Sequence, residues 1–492
     1  MKWIPKAILS VGLSALLLCG CQTELTNINQ NPNNLETPDV TTLTSNLIVN
    51  EFWNNADQAW LLGNALSQLV VFNAHYYNIN GARFFPINNG SYWSLCYANA
   101  RDGATIVTQS KKAGNTANQA IGLALQSYAF LQLTDCWGDI PYTQALQGTS
   151  GTYLAAYDNQ QTVYTGILAK LNTADSLLAH SNSVIKGDVL YNGNITKWRK
   201  FINGLRLRSL LRVSAKTDVS AQMQDIVNAG YIFQNASESA ALKLPTTLPW
   251  YFPSFADRST DFAVKSMDSI LYKFYASTGD KDRLTLFFAP SPNGAANSAF
   301  SFSNYGGLPQ VDQVTTQQAN GTSLFADSFN PLKTYTSTAA NYARIITYAE
   351  VQYILAEAAL RGLIPGGLSQ AQTYYNAGVL GAYAELGLPS TDAATYLAAN
   401  PLNTDPTNNY AAATYQIIMQ KWALNLNNGF EGWLEQRRTG IPTFDLNYNM
   451  NNGVVTTKFL YPADEEFINA NNYKIQVAKM GGKDSPNYRA WW

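Results

Sequence analysis

Two histidines, His75 and His180, are all that the 492 residues offer for imidazole chemistry, and neither falls in an H-E-x-x-H spelling. Nor are there paired cysteines at metal-ligand spacing, so zinc chemistry and a histidine acid–base centre have no support. Three close carboxylate pairs exist: Asp135 with Asp139, Glu350 with Glu357, and Glu431 with Glu435. Glycoside hydrolysis requires two carboxylates flanking a sugar bond. Each pair lies among packing residues, however, where helix caps and ion pairs are the expected role. Asp280 and Asp282 offer hard oxygens for calcium, but the glycine and terminal glutamate of an EF-hand loop are missing. The expectation is therefore no catalytic residue, no cofactor and no metal ligand.

Aromatic residues carry the stronger signal. The chain has 29 Tyr, 21 Phe and 11 Trp, only 13% charged residues and a formal net charge of −1. That balance argues against nucleic acid and suits a neutral polar ligand. Trp250, Tyr251 and Phe252 stand between Pro249 and Pro253, whose restricted backbones can hold rings outward. Tyr305 precedes Gly306-Gly307, and Tyr76-Tyr77 lies in an earlier Asn-rich stretch. A sugar face on one ring gains about 0.5–1.5 kcal/mol, the scale of an aromatic pair, so several rings are needed. Asn and Gln supply donors and acceptors for hydroxyls. These six aromatics are the candidate ligand-binding residues, although a core role fits Trp250 and Tyr251 equally well. Trp93, four residues before Tyr97, reads as core.

The N-terminus addresses a different chemistry. Lys2 and Lys6 flank the start of an apolar run from Ala7 to Leu18, too short for a membrane span, so residues 1–20 read as a signal peptide. Leu18-Cys19-Gly20-Cys21 spells a lipobox with Cys21 as the acylated residue, Cys19 being an unusual choice at its position. More than one acyl chain gives stable anchoring without a spanning helix. Residues 21–41 are polar, contain Pro32 and Pro38, and read as the lipidated N-terminus and tether to a domain over 42–492. Cys96 and Cys136 remain; they read as small buried hydrophobes, with a bridge as the alternative.

The elements that must position these residues are helical. Thr116-Ala-Asn-Gln119 spells a capping box ahead of an apolar-periodic run over 120–133, and 163–178 continues in that style. Trp198, Phe201, Ile202 and Leu205 form one stripe on a helix that also carries Lys197, Arg199, Lys200, Arg206, Arg208 and Arg212. That basic run reads as a solvated or ion-paired face rather than an anion site. Residues 348–361 predict a helix ended by Gly362 and Pro365, with Ser369-Gln-Ala-Gln372 opening its partner. Ala371, Tyr375 and Gly378 would face Ala356, the close packing of a tetratricopeptide-type hairpin. Between about 244 and 341 seven prolines break the pattern, which predicts a loop-rich insertion packed on the scaffold rather than a separate domain. The fold class expected is mainly α: an irregular tetratricopeptide-like helical-hairpin superhelix bearing that insertion.

Several segments share one further property. Asn29-Gln-Asn-Pro-Asn33, the D-x-x-G-D-I-P-Y spelling from Asp135 to Tyr142, Trp198 to Arg212, Asp280-Lys-Asp-Arg283 and Tyr348-Ala-Glu-Val351 occur in that order. Gln420-Lys-Trp422, Glu435-Gln-Arg-Arg-Thr-Gly-Ile-Pro442, Phe459-Leu-Tyr-Pro-Ala-Asp-Glu465 and Trp491-Trp492 follow them. Together they resemble the SusD/RagB-like outer-membrane lipoproteins, in particular the SusD-like subgroup labelled starch-binding. The resemblance implies a superhelix of tetratricopeptide-like hairpins, exposed at the cell surface and lipid-anchored to the outer membrane. It also implies capture of oligomeric nutrients, glycans foremost, and their delivery to a SusC-like TonB-dependent transporter. RagB-like relatives handle peptides, which keeps an oligopeptide ligand as the alternative, with a surface glycoside hydrolase as the remoter one. No relative's binding residue carries over to a position of this chain.

Overall fold

Asp39 opens the first helix by accepting the Thr42 amide at 3.0 Å, and α1 runs over Val40–Gln58. The computed structural model describes residues 39–72, 87–245, 249–257, 259–310, 314–329, 342–447 and 451–492. The signal peptide, Cys21, most of the tether and the Tyr76-Tyr77 pair lie outside the described residues.

Next comes a long hairpin, α2 over Gly90–Lys112 and α3 over Thr116–Trp137. Gly114, at φ 68°, ends the first arm, and Asn115 rather than Thr116 caps the second, accepting the Asn118 amide at 2.9 Å. The expected capping box is thus displaced by one residue, because the Asn115 side chain already satisfies the free amide. The arms meet at two glycines: a Cβ on Gly122 would lie 2.9 Å from the Gly103 carbonyl oxygen. With α1, α2 and the next helix α4 (Gln160–Ala179) packed around it, α3 is buried on nearly every face, so its sequence is apolar all round. Asn159 caps α4 and Asn194 caps α5 (Ile195–Val213), and a short α6 (Ser220–Ala229) follows.

The segment between 244 and 341 is not loop alone. It contributes α7 (Ser269–Thr278), α8 (Lys281–Phe287) and a strand over Lys265–Met267. The strands are short and pair antiparallel in twos. β1 (Val70–Phe72) pairs with β5 (Lys265–Met267), Val70 opposite Met267 and Phe72 opposite Lys265. β2 (Ile140–Pro141) pairs with β3 (Tyr157–Asp158), and β4 (Ala240–Lys243) with β6 (Tyr342–Ile346). The β1–β5 ladder ties the insertion to the chain leaving α1.

A second hairpin joins α9 (Tyr348–Leu360), capped by Thr347, to α10 (Gly367–Glu385). Here the capping box at Ser369 is not used. Gly362, Gly366 and Gly367 all take positive φ and turn the chain, so α10 begins two residues earlier. Tyr353, one turn before Ala356, is the residue that rests on Gly378: a Cβ there would lie 2.5 Å from its ring. Beyond are α11 (Ser390–Ala399), α12 (Thr407–Leu424), α13 (Glu431–Thr439), α14 (Ala463–Ile468) and α15 (Ala470–Ala478). α9 packs against α5, α10 and α12, which fixes the two hairpin sets to each other.

The core is rich in tryptophan. Trp137, Trp198, Trp422 and Trp433 are wholly buried, and each indole N–H finds an oxygen, as in Trp422 to the Ser67 carbonyl at 2.8 Å. Trp93 is core as expected, edge-on to Trp137 with centroids 5.2 Å apart. Cys96 and Cys136 are free and buried, and burial pushes both thiols up. Among the described residues no helix is long and apolar enough to cross a membrane.

Candidate functional site

The carboxylates with catalytic spacing are held in ion pairs and caps. Asp135 accepts from Arg212 Nη1 at 2.5 Å and from the Tyr164 hydroxyl. Glu431 stands between Arg212 and Arg208, and Arg208 makes two bonds to Glu350, at 2.7 and 2.6 Å. Glu357 binds Arg438 at 2.6 Å, and Glu435 binds Lys421 at 2.9 Å and Arg438 at 2.5 Å. Burial alone would push the Glu431 carboxyl up, yet Arg208 and Arg212 together outweigh it and hold it below its ordinary 4.5. Asp139 accepts the Gln160 amide at the start of α4, at 2.9 Å. Arg208 and Arg212 are therefore deeply buried ion-pair partners, and the ion-paired half of the basic-helix reading is the one realised. Asp280 pairs with Arg283 and accepts from the Tyr383 hydroxyl at 2.9 Å. Among the described residues no group of three or more His, Cys, Asp or Glu side chains is placed to hold a metal.

Recognition groups gather elsewhere, at a cavity of 660 Å³ between α1, the start of α2 and the insertion. Leu47, Ile48, Phe52 and Ala56 bury one face of α1 in the core. The opposite face presents Asn54, Asp57, Gln58 and Leu61, three and four residues apart, to the cavity. Asn89, Ser91 and Tyr92 line it from α2, and Asn89 Nδ2 donates to Gln58 Oε1 at 2.8 Å. Asp257 and Lys265 enter from the insertion as a 2.6 Å ion pair. The Trp60 indole donates to the same Asp257 oxygen at 2.7 Å, and the Lys265 ammonium lies 4.8 Å over the Trp60 ring. Burial, reinforced by the Asp257 charge, raises the Asp57 carboxyl to about 6 against the pull of Gln58.

One turn before Asp57 on α1, Trp53 meets two of the expected residues, none of the three lining the cavity itself. Its indole donates to the Tyr251 carbonyl at 2.9 Å, and its ring meets Trp250 edge-on at 5.8 Å. Trp250 and Tyr251 are both half-buried. Phe252 corrects the expectation. The chain turns at Pro253 into a short 3₁₀ segment, Pro253–Ala256, and Phe252 points inward against Trp60 and Phe329 with no exposure at all. Tyr305 belongs to a different group of rings, 5.8 Å from the exposed Phe300, and burial raises its hydroxyl. Tyr76 and Tyr77 lie outside the described residues, but Phe72 and Ile87, which flank their segment, both line the cavity. Sequence reasoning missed Trp53 and the Asn54, Asp57, Gln58 row. The readable signal was a polar row opposite an apolar one over 47–61. Amide and hydroxyl groups over an aromatic rim can hold a neutral polyhydroxylated ligand by paired donors and acceptors.

Comparison with known proteins completes the picture. A SusD-like family model described as starch-binding associating with outer membrane matches residues 32–462. A SusD homolog from Bacteroides fragilis superposes with a TM-score of 0.80 at 25% identity, covering 93% of this chain and 99% of that one. An outer-membrane protein from Bacteroides vulgatus, described as a nutrient-binding candidate, gives 0.79 at 28% identity, with 91% and 99% covered. A chitin-binding SusD homolog from Flavobacterium johnsoniae gives 0.72 at 20% identity, with 92% and 97% covered, a likeness of fold. No curated protein matches the chain at a significant level.

Proposed function

The chain belongs to the SusD-like family of starch-binding proteins associated with the outer membrane, and from that premise we propose a lipid-anchored surface protein that captures oligomeric glycans for a SusC-like TonB-dependent transporter. The observation that carries this reading is the 660 Å³ cavity, where Asn54, Gln58 and Asn89 present amides alongside the rings of Tyr92 and Phe72; Trp53, next to Asn54 on α1, pairs with Trp250 and is the further stacking surface proposed. A sugar ring laid against these indoles gains on the order of 1 kcal/mol per aromatic contact, and the amides fix its orientation. The Tyr251 carbonyl holds the Trp53 indole in place, and the half-buried Tyr251 ring remains a proposed contact. Acylation of Cys21 supplies the anchor, and residues 22–38 the reach from membrane to fold. The function consists of binding and release: the proposed site needs no nucleophile and takes no cofactor.

The test is a glycan and peptide array on residues 22–492, followed by chromatography of whichever oligomer binds. Binding of a glycan that is recovered intact, and that a Trp53→Ala, Trp250→Ala double variant binds at least tenfold more weakly, supports the reading. Binding of peptides alone, or release of shortened sugars, overturns it.

A further inference from the structure

A second cavity, of 410 Å³, lies between α7, α11 and α12 and shares no lining residue with the first. It is built by helical periodicity. Ile270, Lys273, Phe274 and Ser277 recur at three and four residues along α7, and Tyr415, Gln416, Met419 and Gln420 form one face of α12. Phe274, Tyr375 and Tyr396 wall it, while Tyr415 stands half exposed (50%) at its mouth with Lys273 and Thr443.

The polar groups of this cavity are arranged by second interactions. Gln420 Nε2 donates to the Tyr396 hydroxyl, at 2.5 Å, while its Oε1 is held by Arg283 at 3.0 Å. The Tyr396 oxygen is thereby an acceptor within the wall, and its hydroxyl also bonds to the Thr278 side chain. Asn400 spends its amide hydrogens on the Thr278 and Tyr396 carbonyls, at 2.9 and 3.0 Å, which leaves its Oδ1 as an acceptor. The Ser277 hydroxyl donates to the Phe274 carbonyl at 3.2 Å and keeps lone pairs free, while the Thr278 hydroxyl is shared between that carbonyl and Tyr396. Among the described residues Lys273 is the one charged side chain lining the cavity, and no carboxylate lines it. Rings on several sides, an exposed ring at the mouth, and fixed donors and acceptors between them match the alternating apolar faces and hydroxyl edges of a pyranose. The volume falls within the range of small-ligand sites.

We propose that this cavity is a second saccharide-binding subsite, independent of the α1 groove, that takes one or two neutral sugar rings with Tyr415 as the stacking face and Lys273 as a hydroxyl donor. A single site of this size binds weakly alone. Joined to the groove through one oligomer it raises overall affinity by making the second contact intramolecular.

The test is saturation-transfer NMR on the full mature chain in detergent with maltose, cellobiose, N-acetylchitobiose and mannobiose as probes. Wild type is compared with Tyr415→Ala, Tyr415→Phe, Lys273→Met and the Trp53→Ala, Trp250→Ala double variant. The expected result is a disaccharide signal that survives the groove double variant, falls at least threefold in Tyr415→Ala and Lys273→Met, and is largely retained in Tyr415→Phe. Tyr415 is half exposed, so these substitutions should leave melting behaviour near wild type. Loss of all signal in the groove variant overturns the second subsite and leaves the proposed function standing. Partial loss in the groove variant and in Tyr415→Ala alike upholds both sites, whereas a signal wholly unchanged in the groove variant and abolished in Tyr415→Ala upholds the subsite and overturns the groove as the binding site. No signal from any disaccharide, or signal from dipeptides only, overturns both.

Discussion

Replacing Arg208 by Met should be among the most damaging single changes in the scaffold. Arg208 is 3% exposed and makes four charge-assisted bonds: two to Glu350, one to Glu431 at 3.2 Å, and one to the Ile345 carbonyl at 2.5 Å. Glu431 keeps Arg212 after the change, but Glu350 is left buried without a cation. Removing one partner of a buried pair costs about 3–5 kcal/mol, most of it the desolvation of the charge left behind. Over residues 39–492 the entropy of unfolding is roughly 1 kcal/mol/K, so a loss near 4 kcal/mol lowers Tm by about 4 °C. The assay is calorimetry with urea unfolding on Arg208→Met, Glu350→Gln and the double variant. The double variant should recover part of the loss, with a coupling energy of about 2 kcal/mol or more. Acid offers a second readout. Because the Glu431 carboxyl sits below its unfolded value of 4.5, the stability it contributes is whole above pH 4.5 and is lost as pH falls further. Arg208→Met should flatten that acid limb. A single-variant cost under about 1 kcal/mol, or additivity within roughly 0.5 kcal/mol, would refute the ladder as a cooperating unit.

Three further outcomes are expected. Glu51 is buried with one carboxylate oxygen lacking any hydrogen bond, and burial pushes its carboxyl well above 4.5. Its contribution is therefore fully present below pH 4.5 and fades as pH rises, so Glu51→Gln should gain on wild type between pH 5 and 8, by at most about 1.4 kcal/mol per unit in urea unfolding. Asp57, with its carboxyl at about 6, becomes a pure acceptor above that pH. Calorimetric titration should show glycan affinity rising a few-fold through pH 6 in wild type and staying flat in Asp57→Asn, and a flat wild-type profile would remove Asp57 from the contact surface. Cys21→Ser should abolish acylation and release the protein from the membrane fraction, as read by intact-mass analysis of the N-terminus; an unlipidated wild-type terminus would count against the anchor.

The parts of the fold legible in the sequence are those decided by neighbours along the chain. α9 reads clearly because its run of helix formers from Tyr348 is followed by Gly362 and Pro365, and the structure adds the Thr347 cap. The misplaced starts have the same local origin. Asn115 outcompetes Thr116 for the cap, and two glycines start α10 before Ser369 can act. Burial of Arg208 and Arg212 was less legible, since their partners Glu350, Glu431 and Asp135 lie far away in sequence. Residue type announced charge; only tertiary pairing decides whether it faces water. Trp250 and Phe252 make the same point at shorter range. They stand two residues apart between the same prolines, yet one rests half-buried on Trp53 and the other fills the core, because Pro253–Ala256 turns the backbone between solvent and Trp60. The cavity itself draws on α1, the flanks of 73–86, α2 and the insertion, and no linear pattern could join them.

The ladder and the groove divide the work of the chain. Asp135 on α3, Arg208 and Arg212 on α5, Glu350 on α9 and Glu431 on α13 alternate in sign across four helices, and Lys421 with Glu435 links α12 to the last of them. Against apolar residues of equal volume such a ladder gains little net stability. It discriminates register instead. Arg208 and Arg212 are one turn apart on α5, so sliding α5 by a turn leaves either Asp135 or Glu350 buried without a cation, at a cost of several kcal/mol. The insertion takes no part in this ladder; it is tied to the chain after α1 through β1 and β5, and its rim residues meet α1 itself. Substitutions around Trp250 can therefore change what the groove accepts while helix register holds, whereas substitutions in the ladder should change stability first and binding only as a consequence. A variant set that alters glycan choice without moving Tm would be expected to map to the insertion and to the outer face of α1.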